Sequence, residues 1–267
     1  MKKIGLVLLA MFLPAAPAVA EVHWFEDALP GAAEPLADPN AARFGTSFLA
    51  STAGARLFDL SLGSNVGLVQ PGDRSWSLEG RAAVFSRFDF LSPSFDFQTA
   101  DFIGGLAYRQ VWQFGETEVY GFHQSCHLGD DLARSGLPDV NLSREILRIL
   151  YWHHWEMVSI YAGPRLIVIS DPSWMQGKTG AQAGVQWQHG RLNLALDLQL
   201  HGEYRGDTDV TCTAGVSLSP PAARWQQIFQ VFAHCGHPSP GQFEGGYENL
   251  VGCGMVVVDQ GPKADAW

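Results

Sequence analysis

The sequence predicts an all-β fold, an antiparallel up-and-down transmembrane β-barrel of about twelve strands, on three observations. Leucine occupies every second position from Leu192 to Leu200, with Asn193, Ala195, Asp197 and Gln199 between them. Successive side chains of a strand point to opposite faces, so this segment has one purely apolar face and one largely polar face. The pattern recurs along the chain behind an export-type N-terminus, which points to the outer membrane of a Gram-negative bacterium. Beyond that N-terminus no run of roughly 18 apolar residues occurs, so no spanning helix is encoded.

In chain order, residues 1–20 read as a signal peptide. Lys2 and Lys3 form its basic start, Ile4 to Leu13 its apolar stretch and Ala18-Val19-Ala20 its cleavage site. Residues 21–42, rich in Pro, Ala, Glu and Asp, form an extended N-terminal segment. Within it Asp38 either anchors the segment in the periplasmic mouth or lies in a solvated loop. The barrel occupies 43–259, and 260–267 is a C-terminal tail ending in the aromatic Trp267.

Twelve strands are expected, over 43–50, 55–66, 75–87, 101–113, 116–127, 143–154, 157–169, 178–189, 191–203, 208–218, 225–236 and 247–258. Each is about the length a tilted membrane strand needs. In the second, Phe58, Leu60 and Leu62 lie opposite Asp59 and Ser61. In the third, Trp76, Leu78, Ala82 and Val84 lie opposite Glu79, Arg81 and Arg87. In the eighth, Ala181, Ala183, Val185 and Trp187 lie opposite Gln182, Gln186 and Gln188. The first, eleventh and twelfth alternate less cleanly. Cys212, Cys235 and Cys253 fall on apolar faces, which favours buried or lipid-facing thiols over a disulfide framework. An Arg or Lys facing the bilayer midplane costs about 2–4 kcal/mol, so the polar faces are expected inward. The lumen would then hold Asp59, Glu79, Arg81, Arg109, Arg148 and Asp197. Short links around Phe114-Gly115, Trp155-Glu156, Gly190 and Ser219–Ala222 alternate with longer ones, which places both termini in the periplasm. A net charge of −10 disfavours nucleic acid or anionic surfaces as partners. The expected partners are outer-membrane lipid and, during biogenesis, the barrel-assembly machinery.

One stretch carries chemistry: Tyr120-Gly-Phe-His-Gln-Ser-Cys-His-Leu-Gly-Asp-Asp131. At period two, His123, Ser125 and His127 share one face, and an imidazole beside a hydroxyl is what an activated serine nucleophile needs. Glu145 is the nearest residue in sequence able to orient the imidazole, and Arg144 is a candidate for binding an oxyanion. Asp130, Asp131 and Asp139 could hold a hard cation such as calcium. A lumenal ligand site would instead draw on His127, Asp130, Arg144 and Arg148. With Tyr120 and Phe122 taken as lipid-facing, His123 and Ser125 are expected to face the lumen. His234-x-x-His237 beside Cys235 suggests a metal, while Pro238 favours a loop there.

The His-x-Ser strand resembles the active-site strand of outer-membrane phospholipase A, a twelve-stranded barrel, and of the lipid A deacylase barrels. The likeness extends to Ser143-Arg144 after the loop. Cys126 and Leu147 stand where the phospholipase has asparagines. A broader resemblance rests on Pro35-Leu-Ala-Asp-Pro39, Leu78-Glu79-Gly80, Val84–Asp89, Ala100-Asp101-Phe102, the His-Gln-Ser-x-His-Leu-Gly-Asp run and Asn141-Leu142-Ser143. On these the chain resembles an uncharacterised bacterial outer-membrane family defined as a domain of unknown function. In that family's signature Cys126 replaces a second Ser and Asp131 a Glu. The expected function is a non-enzymatic barrel with a narrow or closed polar lumen and no cofactor; the alternative is an acyl-ester hydrolase using Ser125 and His123, helped by calcium.

Overall fold

A computed structural model describes residues 22–25, 34–134, 136, 140, 142–220 and 223–259. The expected signal peptide, Trp267 and Asp139 lie outside the described residues. Thirteen strands form one antiparallel sheet: β1 (Val22–Trp24), β2 (Phe44–Ser51), β3 (Arg56–Pro71), β4 (Trp76–Asp89), β5 (Phe97–Trp112), β6 (Gly115–Leu128), β7 (Ser143–His154), β8 (Val158–Asp171), β9 (Thr179–His189), β10 (Leu192–His201), β11 (Asp207–Ser217), β12 (Trp225–Gly236) and β13 (Glu248–Asp259). From β2 to β13 each strand pairs with its sequence neighbour. The ring of twelve closes where β13 meets β2, from Leu250 opposite Ser51 to Val257 opposite Phe44. Closure leaves no edge for lipid to solvate.

Two differences from the expected strands have a local cause. Strand β3 runs on to Pro71, because a bulge between Gly67 and Val69 shifts its register against β4 and hides the continuing alternation. Val22–Trp24 forms a short strand on the far end of β3, Val22 opposite Pro71.

The outward face is apolar. Leu192, Leu194, Leu198 and Leu200 are exposed, as are Leu62, Val66, Leu106, Ile160, Val231 and Val251. A continuous apolar exterior of this kind belongs in lipid. Exposed aromatics ring both ends: Trp112, Phe114, Trp155 and Trp225 at the short links, Phe90, Phe95, Trp174 and Tyr247 at the other end. Among the described residues no helix is long and apolar enough to cross a membrane.

The lumen is filled by charge. Arg81 binds Glu79 at 2.9 Å and Glu118 at 2.8 Å; Arg109 binds Glu118 at 3.1 Å and also reaches Glu116. Further toward the long loops, Arg87 binds Asp59 at 2.8 Å and Glu248 at 3.2 Å. The segment 34–42 runs into this interior. Leu36 and Ala37 pack on Ala195, Ile228, Val256 and Val258. Asp38 takes hydrogen bonds from Arg148 and Gln182 at 3.1 Å and from Gln199 at 3.2 Å. Of the two placements expected for Asp38, the anchor is the one observed, well inside the lumen at 2% exposure. Cys126 is buried, and Cys212 and Cys235 are exposed on the outer face; no disulfide forms among the described residues.

Candidate active site on the outer face of β6 and β7

Strand β6 carries glutamates at 116 and 118, and both are buried inside. Period two then turns Tyr120, Phe122, Gln124 and Cys126 inward as well. Gly121, His123, Ser125 and His127 consequently face outward, which corrects the expected lumenal placement of the three polar residues. The aromatic pair that suggested the opposite is lumenal for a physical reason. The guanidinium carbons of Arg81 and Arg148 lie 5.1 and 5.4 Å from the Tyr120 ring centroid, and Phe122 stacks on Tyr120 at 4.6 Å. A cation-rich interior stabilises an aromatic face as lipid does.

On β7 the same rule buries Arg144 and Arg148 and turns Glu145 outward. The register sets His123 directly opposite Glu145 and Ser125 opposite Ser143. Residues paired this way have Cβ atoms about 4.5–5.5 Å apart, and the side chains meet: His123 Nδ1 is 2.9 Å from Glu145 Oε1. Both side chains are nearly half exposed, at 44% and 49%. The carboxylate fixes the proton on Nδ1 and leaves Nε2 with its lone pair. Ser125 lies two residues along the same face, about 6.6–6.8 Å away at the backbone. Among the described residues no Ser125–His123 hydrogen bond is formed. Catalytic hydrogen bonds of this kind commonly tighten only with substrate bound.

The surroundings suit a lipid-borne ester. Phe102 is opposite Ser125 on β5, and His127 meets its ring edge-on with centroids 5.5 Å apart. Below His123 the outer surface is bare. Gly104 is opposite His123, and a Cβ added there would meet nothing closer than 4.0 Å. Gly121 has open space on the same side and is flanked by Leu106 and Leu147. Sequence reasoning passed over both glycines, although glycine inside a strand often marks the close approach of a ligand.

Other expected site residues are placed elsewhere. Arg144 bonds Gln124 Oε1 at 2.9 and 3.1 Å and Glu244 at 2.9 Å inside the barrel, so it cannot serve an oxyanion on the outer face. Arg148 is likewise lumenal, bound to Asp38 and Glu118. His127 therefore shares no ligand site with these arginines. Asp130 and Asp131 open a one-turn helix, α1 (Asp130–Arg134). The Asp131 carboxylate accepts from the Phe97 amide at 3.0 Å and from Arg134 at 3.2 Å. Among the described residues no cluster of three metal-ligating groups includes either aspartate. The inward half of the hallmark has a structural role: Gln124 links Arg144 to Asp101, whose carboxylate also accepts the Gly241 amide at 2.9 Å.

Residues 19–256 match the model of a family described as a protein of unknown function (DUF1207). No curated protein matches in sequence. Among solved structures, the barrel is similar to outer membrane phospholipase A from Escherichia coli, with a TM-score of 0.64 and 12% identity over 87% of this chain and 100% of that one. The Salmonella typhi outer membrane phospholipase, described as a dimer with bound calcium, gives a TM-score of 0.62 and 12% identity over 84% of this chain and 94% of that one. At this identity the likeness shows the fold, which is that of bacterial outer-membrane proteins.

Proposed function

From the premise that this chain belongs to the DUF1207 family, whose description assigns no reaction, we propose that it is an outer-membrane acyl-ester hydrolase acting on lipid from the outer face of its barrel. The observation that carries the reading is the His123–Glu145 contact of 2.9 Å on an outward, otherwise apolar surface, with Ser125 on the same strand face. Ser125 Oγ attacks the ester carbonyl while His123 Nε2 takes its proton. The C–O bond to the glycerol or sugar breaks, and His123 returns the proton to the leaving oxygen. Water then repeats the sequence on the acyl-serine and restores the free hydroxyl. Glu145 positions the imidazole and stabilises its charged form. The groove over Gly121, between Leu106 and Leu147, offers an acyl chain a path toward the bilayer centre.

The test is turnover of phosphatidylethanolamine and of lipid A by purified protein in mixed micelles, with Ser125→Ala and His123→Ala as controls. Fatty-acid release by the wild type alone supports the proposal. No release by a folded wild type, with calcium or with a chelator, overturns it. The chelator arm decides whether turnover needs a divalent ion, and Asp130→Asn assayed with added calcium decides whether that loop holds it.

The filled lumen favours a second reading, a closed barrel without catalysis. A plugged interior and an outer-face hydrolase are compatible, so conductance alone does not choose between them.

A further inference from the structure

We propose that the lumen, at its long-loop end, binds a divalent transition-metal ion of the zinc type through His201, Asp209 and His237. These residues come from three places: the end of β10, the start of β11 and the loop after β12. Period two turns His201 and Asp209 inward, and all three are at least nine-tenths buried. Asp209 sits between the two imidazoles, with Oδ2 2.7 Å from His201 Nε2 and Oδ1 2.9 Å from His237 Nδ1. Their donor atoms all lie within 4.8 Å of one another.

The fit to a metal is close. Zinc takes imidazole nitrogen at about 2.0–2.1 Å and carboxylate oxygen at about 2.0–2.2 Å, so two ligands of a tetrahedral ion stand about 3.3–3.5 Å apart. The observed 2.7 and 2.9 Å separations need to open by about 0.4–0.8 Å. The His201 contact is short yet lacks hydrogen-bond geometry, leaving that buried nitrogen without a bonded partner among the described residues.

What stands behind each imidazole is an independent argument. Metal-bound histidines almost always give their second N–H to a carboxylate or carbonyl. Glu203 Oε1 lies 3.2 Å from His201 Nδ1; Asp207 Oδ2 is 3.7 Å from His237 Nε2, beyond hydrogen-bond distance, and supplies only a nearby negative charge. Tyr204 stacks on the His237 ring at 4.2 Å and fixes its plane. Arg165 Nη2 also approaches His201 Nδ1, at 2.9 Å. On metal binding Nδ1 donates to Glu203, and Arg165 keeps its own bond to that carboxylate. Arg165 and Arg144 bind Oε1 of Glu203 and of Glu244, and the set with two imidazoles, His201, Asp209 and His237, suits a zinc-type ion better than the neighbouring set of one imidazole and two carboxylates. Three protein ligands leave a fourth position, and these residues border a cavity also lined by Asn40, Gln199, Thr211 and His234. His234 itself is taken up by Thr211 and the His237 carbonyl, so the His-x-x-His spacing contributes one ligand rather than two.

Tag-free, chelator-treated full-length mature protein titrated with Co²⁺ tests the proposal through the visible d–d bands of the bound ion, with Zn²⁺ as competitor. One equivalent of cobalt should bind, be displaced by zinc, and bind at least about tenfold more weakly in Glu203→Gln, in line with the effect of removing an outer-shell carboxylate. Asp209→Asn and His237→Gln should abolish the bands while the heat-modifiable folded form persists on gels. Absence of the bands in folded wild type, or equal binding by His237→Gln and Asp209→Asn, overturns the site. If those two variants do not fold, an unchanged cobalt affinity in folded Glu203→Gln overturns it instead.

Discussion

Glu145 is a carboxylate on a strand face that otherwise carries Leu147, Ile149 and Tyr151, and its partner is an imidazole on a face of Val119 and Gly121. It lies three residues from the loop end of β7, where an outward charge costs only about 0–1 kcal/mol, so lipid tolerates it. Tolerance does not explain why it meets His123 at 2.9 Å. If it holds the imidazole for Ser125, Glu145→Gln should lower kcat by about 10²–10⁴ while stability changes by less than about 0.5 kcal/mol. Ester turnover and thermal unfolding of the same preparation check both halves. Unchanged turnover in a variant that folds normally would remove Glu145 from the mechanism. The sequence made His123 and Ser125 legible as chemistry because an imidazole and a hydroxyl stand two residues apart, with Glu145 offered by the next strand. It did not make their face legible, since the side on which they act depends on the whole strand.

Strand β6 shows why. Its parity was judged from Tyr120 and Phe122, aromatics that suit lipid, whereas Glu116 and Glu118 share that parity and suit only the interior. A buried carboxylate paired with arginine decides more than an aromatic ring does, because rings are stable on either side of this wall. Where charge and apolarity agreed, as in β4, β9 and β10, both face and strand were readable. Where a bulge broke the alternation, in β3, the strand end was not. The corrected parity gives the glycines of this hairpin opposite roles. On the outer side Gly121 has open space around it. On the inner side a Cβ at Gly105 would lie 2.2 Å from the Gly121 carbonyl. Gly121→Trp should therefore insert and fold normally. It should lose at least about tenfold in turnover of long-chain phospholipid while retaining a short water-soluble ester. Gly105→Ala should instead reduce the yield of folded barrel. Equal loss on both esters in Gly121→Trp would show that no acyl chain lies in the groove.

At the scale of the whole molecule the lumen explains how a barrel with so much buried charge holds together. Arg81, Arg109 and Arg148 converge on Glu118, and Arg148 hands the network on to Asp38 of the inserted segment. Removing one partner from a buried ion network leaves the other uncompensated and costs about 3–5 kcal/mol. The segment 34–42 is thus tied to the wall through Asp38 as well as through the apolar contacts of Leu36 and Ala37. Two consequences separate a plug from a passive tail. Wild-type protein in a planar bilayer should show no large steady conductance, because side chains and the segment fill the cross-section. Asp38→Ala should both lower the temperature at which the folded form is lost on gels and raise conductance, since Arg148, Gln182 and Gln199 lose their common acceptor and the segment its polar anchor. A wild type that conducts freely would contradict the filled lumen. A variant that loses stability without conducting would show that Leu36 and Ala37 suffice to keep the segment in place. Because Ser125 and His123 lie on the far side of the wall, ester turnover by Asp38→Ala should persist wherever the barrel is still folded.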